Sequence, residues 1–169
     1  MARLPPILTG AIEAKDQAFF SALALLIEFL AHRIKDKAAP LLENMLAHLM
    51  FGYVRDMIYL LVEIRTNDVG TCLDTGHAHL AREMGMAIQK LSSHLKMVHV
   101  NDNHGDRDEH LAPGQGSIDW PRVISELRWV RFQGVLMLEL SSTEHEPVEA
   151  FLARAVQARE FMKKLLVTP

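Results

Sequence analysis

Apolar positions along this chain alternate between two patterns. Residues 41–45, 69–73, 97–100 and 135–140 are short runs with little polar interruption, and each predicts a strand covered on both faces. The signal over 41–45 is the weakest of the four, since Leu and Met also suit a helix. Between the runs, apolar residues recur at three- and four-residue intervals, which predicts helices over 52–64, 78–90, 120–128 and 146–166. Val54, Met57, Ile58, Leu61 and Val62 share one face of the first of these, and Gly85 is a soft spot in the second. Asp119 is placed to cap the third, with Pro121 in its first turn, and Pro147 opens the fourth. Ahead of them, residues 12–37 predict a long helix whose wide apolar face includes Phe19, Leu23, Leu26, Ile27, Leu30 and Ile34; Pro40 ends it.

A strand–helix alternation repeated about four times predicts an α/β fold of parallel βα repeats, because parallel strands need long crossovers. With 169 residues, 49% of them hydrophobic, the chain suits one domain with a sizeable core. A formal net charge of −3 gives no bulk reason to bind nucleic acid. The one cysteine, Cys72, allows no disulfide within the chain and fits a reducing, cytoplasmic setting. Residues 18–30, the most apolar stretch, fall short of the roughly 20 needed to span a membrane. The start of the chain, broken by Pro5 and Pro6, does not read as a signal peptide.

Each predicted strand ends in a group able to bind a divalent metal: Glu43, Asp74, His99 and Glu139. In a parallel sheet or barrel all carboxyl ends lie on one side, so groups far apart in sequence converge there. Three carboxylates and an imidazole suit Mn²⁺, Mg²⁺, Co²⁺ or Zn²⁺. A second set, His77, Asp108 and His110, draws on the polar loop that follows residue 100. Taken singly, these residues have bland readings: Glu43 as a helix-surface carboxylate, Asp74 as a turn residue or cap, residues 102–110 as a solvated loop. The joint pattern, a ligand at the end of every apolar run, argues for a site. His79 and His104 read as neighbours of that site or as solvent-facing, and Cys72 as a small core residue.

Residues 74–78 read D-T-G-H-A, residues 99–103 H-V-N-D-N, residues 108–120 D-E-H-L-A-P-G-Q-G-S-I-D-W and residues 136–140 L-M-L-E-L. Together they resemble the xylose isomerase-like TIM-barrel superfamily, which comprises sugar phosphate isomerases and epimerases and the endonuclease IV type of AP endonuclease. In that superfamily the last four strand ends supply a glutamate, an aspartate with a histidine three residues on, a histidine, and a glutamate. The resemblance therefore implies that Glu43, Asp74, His99 and Glu139 hold the principal metal. It implies that His77 and Arg107 contact substrate, or that His77 joins Asp108 and His110 around a further metal. Because such barrels have eight βα units and about 250 residues, it implies that residues 1–169 form a single domain lacking the first four units. Such a partial (half) TIM barrel has two open edges and an apolar interior face, which favour a homodimer.

The activity implied is that of a metal-dependent sugar or sugar-phosphate isomerase or epimerase. It would work by proton transfer through a metal-stabilised enediolate, with Glu43 and Glu139 as acid and base. Two alternatives stand beside it: an endonuclease IV-like AP endonuclease, and an inactive truncated half-barrel. The expected partner is a small sugar or sugar phosphate. Mild acidity and the lack of a basic, aromatic-laced face speak against nucleic acid, and no membrane partner is expected.

Overall fold

The structure is a computed structural model that describes residues 21, 24–30, 33, 40–64 and 68–167. Helix α1 (24–30) falls inside the helix expected over 12–37, and most of the rest of that expectation lies outside the described residues. Leu30 of α1 is buried, with Leu26 and Ile27 packed against the core and Leu25 and Phe29 facing solvent. Then come β1 (Leu41–Glu43), α2 (Val54–Ile64), β2 (Gly70–Asp74), α3 (Thr75–Leu80), α4 (Met84–Leu91), β3 (Leu95–Val100), α5 (Trp120–Trp129), β4 (Val135–Leu138) and α6 (Val148–Val167). The four strands are parallel and pair in chain order, as an arc of a βα barrel does. Among the described residues, no strand pairs with the outer edge of β1 or of β4.

Register decides which side chains share a face. Glu43 pairs with Cys72, Asp74 with His99, and His99 with Met137. Paired residues in a parallel sheet point the same way, so Glu43, Asp74 and His99 lie on one face, with Glu139 two residues beyond Met137. The register depends on a shift: Thr71 pairs with Leu95, but Cys72 pairs with Met97. Without that extra residue, His99 would turn to the helix side.

The opposite face carries Leu42, Leu73, Val98 and Val100, none more than 9% exposed. Helices cover it with the residues their periodicity selects: Met57, Leu60 and Leu61 from α2, Ala87, Ile88 and Leu91 from α4, and Val123, Ile124 and Leu127 from α5. Burying one such large side chain is worth about 1.5–3 kcal/mol. The other face has no comparable cover among the described residues: Leu41, Val135 and Met137 are 37%, 53% and 45% exposed. Among the described residues no helix is long and apolar enough to cross a membrane.

Residues 78–90, expected as one helix, form parts of two. Ala81 N and Arg82 N bond back to His77 and His79, Arg82 takes a φ of 58°, and Glu83 accepts from Val54 N at 2.9 Å. Ala, Arg and Glu favour helix, so the break answers to a tertiary contact: the Glu83 carboxylate meets the free N–H that opens α2. Gly85 then lets α5 approach, since a Cβ there would lie 2.9 Å from Glu126 Oε2. Strand β4 stops at Leu138 rather than at 140, although Glu139 N still bonds Val100 O at 3.2 Å. Asp119 caps α5 as expected, accepting from Arg122 N at 3.1 Å.

Candidate metal centre

The carboxyl ends of the strands deliver the principal cluster. Glu43 closes β1, Asp74 closes β2, His99 is the last residue but one of β3, and Glu139 directly follows β4. One ligand atom from each lies within 4.8 Å of all the others. His99 Nδ1 is 2.8 Å from Glu43 Oε1 and 2.9 Å from Glu139 Oε2. One ring nitrogen has one hydrogen at most, and the hydrogen bond formed is to Glu43. Glu139 Oε2 is left buried without a donor.

Asp74 is wholly buried. Its Oδ1 accepts His77 N at 2.7 Å, capping α3, and its Oδ2 accepts Asn101 Nδ2 at 2.6 Å. Burial pushes its carboxyl up to about 6, even though His77 and these two bonds pull the other way. Three acidic side chains around one imidazole, with a buried oxygen that no donor meets, form a site short of positive charge. A divalent cation would supply that charge, and the oxygen-rich donor set with one nitrogen fits Mn²⁺, Mg²⁺, Co²⁺ or Zn²⁺.

A second group lies alongside. His77 Nδ1 is 2.8 Å from Asn44 O, and His110 Nδ1 is 3.4 Å from Glu139 O. A carbonyl only accepts, so both Nδ1 atoms carry the hydrogen, which turns each Nε2 toward the site. The two Nε2 atoms converge on Asp108 Oδ2, at 3.3 Å from His77 and 3.2 Å from His110. Burial alone would lower the His77 pKa, but Asp74, the Asn44 carbonyl and Asp108 outweigh it and raise the imidazole above its ordinary value. Imidazoles oriented by backbone carbonyls, with the other nitrogens facing a carboxylate, are arranged as metal ligands commonly are.

The structure thus brings together Glu43, Asp74, His99 and Glu139 in one set, and His77, Asp108 and His110 in another. Arg107 stays outside both: its side chain is 77% exposed and pairs with Glu109 at 3.2 Å. His79 bonds Ser117 Oγ, and His104 bonds Glu109. Cys72 is buried below Glu43 and His99, and burial, followed by the Glu43 charge, pushes its thiol up to about 12. A cavity of about 540 Å³ lies behind the rim, lined by His79, Arg82, Ser117 and Glu126 and by none of the clustered ligands.

Two supporting residues had no assignment from the sequence. Asn44 holds Asp74 by its backbone, giving Nδ2 to Asp74 O at 3.1 Å and taking Asp74 N at 2.8 Å, while its own carbonyl orients His77. Asn101 holds the Asp74 carboxylate itself. The available signal was position: Asn44 directly follows one strand-end ligand, and Asn101 stands two residues after another.

The family described as xylose isomerase-like TIM barrel matches residues 7–165. The chain is 27% identical over 113 residues to the uncharacterized protein MJ1311 of Methanocaldococcus jannaschii, covering 65% of this chain and 36% of that one. It is 29% identical over 93 residues to the D-psicose 3-epimerase of Enterocloster bolteae, covering 52% of this chain and 29% of that one. The solved structure of a D-tagatose 3-epimerase-like protein matches with a TM-score of 0.79 at 23% identity, covering 96% of this chain and 58% of that one. The chain spans about a third of the length of the curated relatives it matches.

Proposed function

The chain belongs to the xylose isomerase-like TIM-barrel family, and from that premise we propose that it is a metal-dependent isomerase or epimerase of small sugars or their phosphates. The observation that supports this most is the convergence of Glu43, Asp74, His99 and Glu139 within 4.8 Å on one open rim. The epimerase names carried by a relative and by a structure of the same fold point to the same substrate class.

A divalent cation at this site would stabilise the negative charge that develops on the sugar's carbonyl and neighbouring hydroxyl oxygens. Asp74 and His99 would serve only as its ligands, and Glu43 and Glu139 both as ligands and as acid and base. Glu43 and Glu139 approach His99 from strands at opposite edges of the sheet. One carboxylate takes a proton from the carbon beside the carbonyl and the other returns one, each within reach of the bound sugar. His77 stands at the margin, its Nε2 placed to accept from a substrate hydroxyl. A single, buried thiol suits a reducing compartment.

The test is proton exchange with solvent. The chain is incubated in D₂O with ketopentoses and ketohexoses, with and without phosphate, under Mn²⁺, Mg²⁺, Co²⁺ or Zn²⁺. Deuterium appearing beside the carbonyl, followed by proton NMR, supports the reading. No exchange with any sugar, in protein whose metal content is confirmed by mass spectrometry, overturns it. Protein that takes up no metal would instead point to an inactive barrel segment.

One observation favours a second reading. His77, Asp108 and His110 could hold a further cation beside the first, and paired cations suit phosphodiester cleavage, as at abasic DNA. Cutting of an abasic-site oligonucleotide without sugar turnover would select it. Either activity is proposed together with self-association through the interior face and the edges of β1 and β4 that no described strand pairs.

A further inference from the structure

The loop between β3 and α5 carries Asp108 and His110, yet its only regular pairing is a bridge between Asp102 and Leu111. One carboxylate organises it. Asp102 is wholly buried. Its Oδ1 accepts Asn103 N at 2.9 Å and Ile118 N at 3.2 Å, and its Oδ2 accepts Gly114 N at 2.9 Å and the Trp120 indole Nε1 at 2.8 Å. These donors come from the outgoing and the returning end of the loop. A buried carboxylate is tolerated only when its lone pairs are met, so the bonds act as a unit.

The main chain of Asp102 also exchanges two hydrogen bonds with Leu111, each 2.9 Å long. Leu111 follows His110, whose φ of 48° is a left-handed conformation that a non-glycine residue keeps only when its surroundings enforce it. The returning strand of the loop passes so close that a Cβ on Gly116 would lie 2.3 Å from Asp102 Oδ1.

We infer that Asp102 is a positioning residue: by tying the two ends of this loop together it holds Asp108 and His110 against His77. None of its hydrogen bonds reaches those side chains, so it acts through the loop backbone. The inference rests on the proposal that His77, Asp108 and His110 hold a cation, and it can be tested apart from it.

The full chain is titrated calorimetrically with Zn²⁺ as the natural sequence, as Asp102→Asn and as Asp108→Ala. Asp108→Ala identifies the second class of site by abolishing it. Asp102→Asn puts an NH₂ group where an N–H donor must be met, and is expected to weaken that same class by about tenfold or more. The class at Glu43, Asp74, His99 and Glu139 is expected to change by no more than about twofold. Amide hydrogen exchange gives a readout that needs no metal. His104 N and Gly105 N bond Glu109 and Asn103, not Asp102, so their protection reports the loop as a whole.

In Asp102→Asn these two amides are expected to exchange about tenfold faster while β2 and β3 keep their protection. If Asp108→Ala leaves the zinc titration unchanged, the second-cation proposal fails and exchange alone decides the role of Asp102. Unaltered loop protection, or an even loss across the whole domain, overturns the inference. Should Asp102→Asn fail to fold, Trp120→Phe removes a single donor and is measured in the same way.

Discussion

His99 Nδ1 lies 2.8 Å from Glu43 Oε1, although 56 positions separate them and β2 runs between their strands. No local property of either residue requires this contact; the arc of the sheet and its register create it. With Glu139 on the other side, the imidazole is the one nitrogen donor of the principal cluster. Adding Mn²⁺ or Zn²⁺ at about a hundred times Kd should stabilise the protein by about 2.7 kcal/mol in urea unfolding. The same addition should stabilise His99→Ala less, by no more than a cation at His77, Asp108 and His110 supplies, and equal stabilisation of both proteins would place the cation elsewhere.

Glu139 Oε2 is buried with no hydrogen-bond donor. Glu139→Gln keeps an oxygen that can face a cation but removes the proton acceptor. Cation affinity, measured by calorimetry, should fall by about tenfold or less, while solvent exchange into substrate falls by about 10²–10⁴-fold. Retained exchange would refute the assignment of Glu139 as acid or base.

Acidification should stabilise the metal-free protein. Burial raises the folded-state Asp74 pKa from 3.8 to about 6. A raised carboxyl binds its proton more tightly when folded, so its stabilising contribution is complete below about 3.8 and is lost as pH rises through about 6. His77, also raised, acts in the same direction, losing its contribution above 6.5. Between pH 7.5 and pH 5.5, metal-free protein should gain about 1 kcal/mol relative to Asp74→Asn in urea unfolding. Cation affinity should move the opposite way and fall as pH drops from 7.5 to 5.5, because the ligand is the ionised carboxylate.

Gly76 marks the tightest approach beside the principal cluster. A Cβ there would lie 2.1 Å from Asn101 Oδ1 and 3.0 Å from Asn103 Nδ2. Gly76→Ala should therefore cost about 1–3 kcal/mol of stability. It should weaken cation binding as well, since Asn101 is the residue that holds Asp74 Oδ2. A destabilised variant with unchanged cation affinity would show that Asn101 yields without releasing Asp74.

Val135 and Met137 project from the interior face, and Leu152 and Val156 of α6 are exposed as well. Sedimentation velocity at high concentration should show a dimer, and Val135→Lys with Met137→Lys should shift it toward monomer. A single monomeric boundary for the unaltered chain would rule out self-association through this face.

Helices α2 and α5 were legible because their apolar positions recur at the helical period, and α5 because Asp119 and Pro121 also mark its start. The two-helix form of residues 75–91 was not, because Ala81, Arg82 and Glu83 favour helix and only the contact of Glu83 with Val54 N argues against it. Arg107 illustrates the limit for side chains. Its place in the loop brings it near the ligands in sequence, but whether its guanidinium turns inward depends on Glu109, which holds it outward.

The sequence by itself determined the repeating strand–helix order and put a group able to bind a metal at each strand end, because burial pattern and chain position are local properties. Only the tertiary structure decided that the ligands share a face. That outcome depends on the shift between Thr71 and Cys72, one residue in length, and on pairings that span dozens of positions. The buried amides of Asn44 and Asn101 and the carboxylate of Asp102 also emerge only there. A polar side chain shows its partner only once folding has removed water from around it.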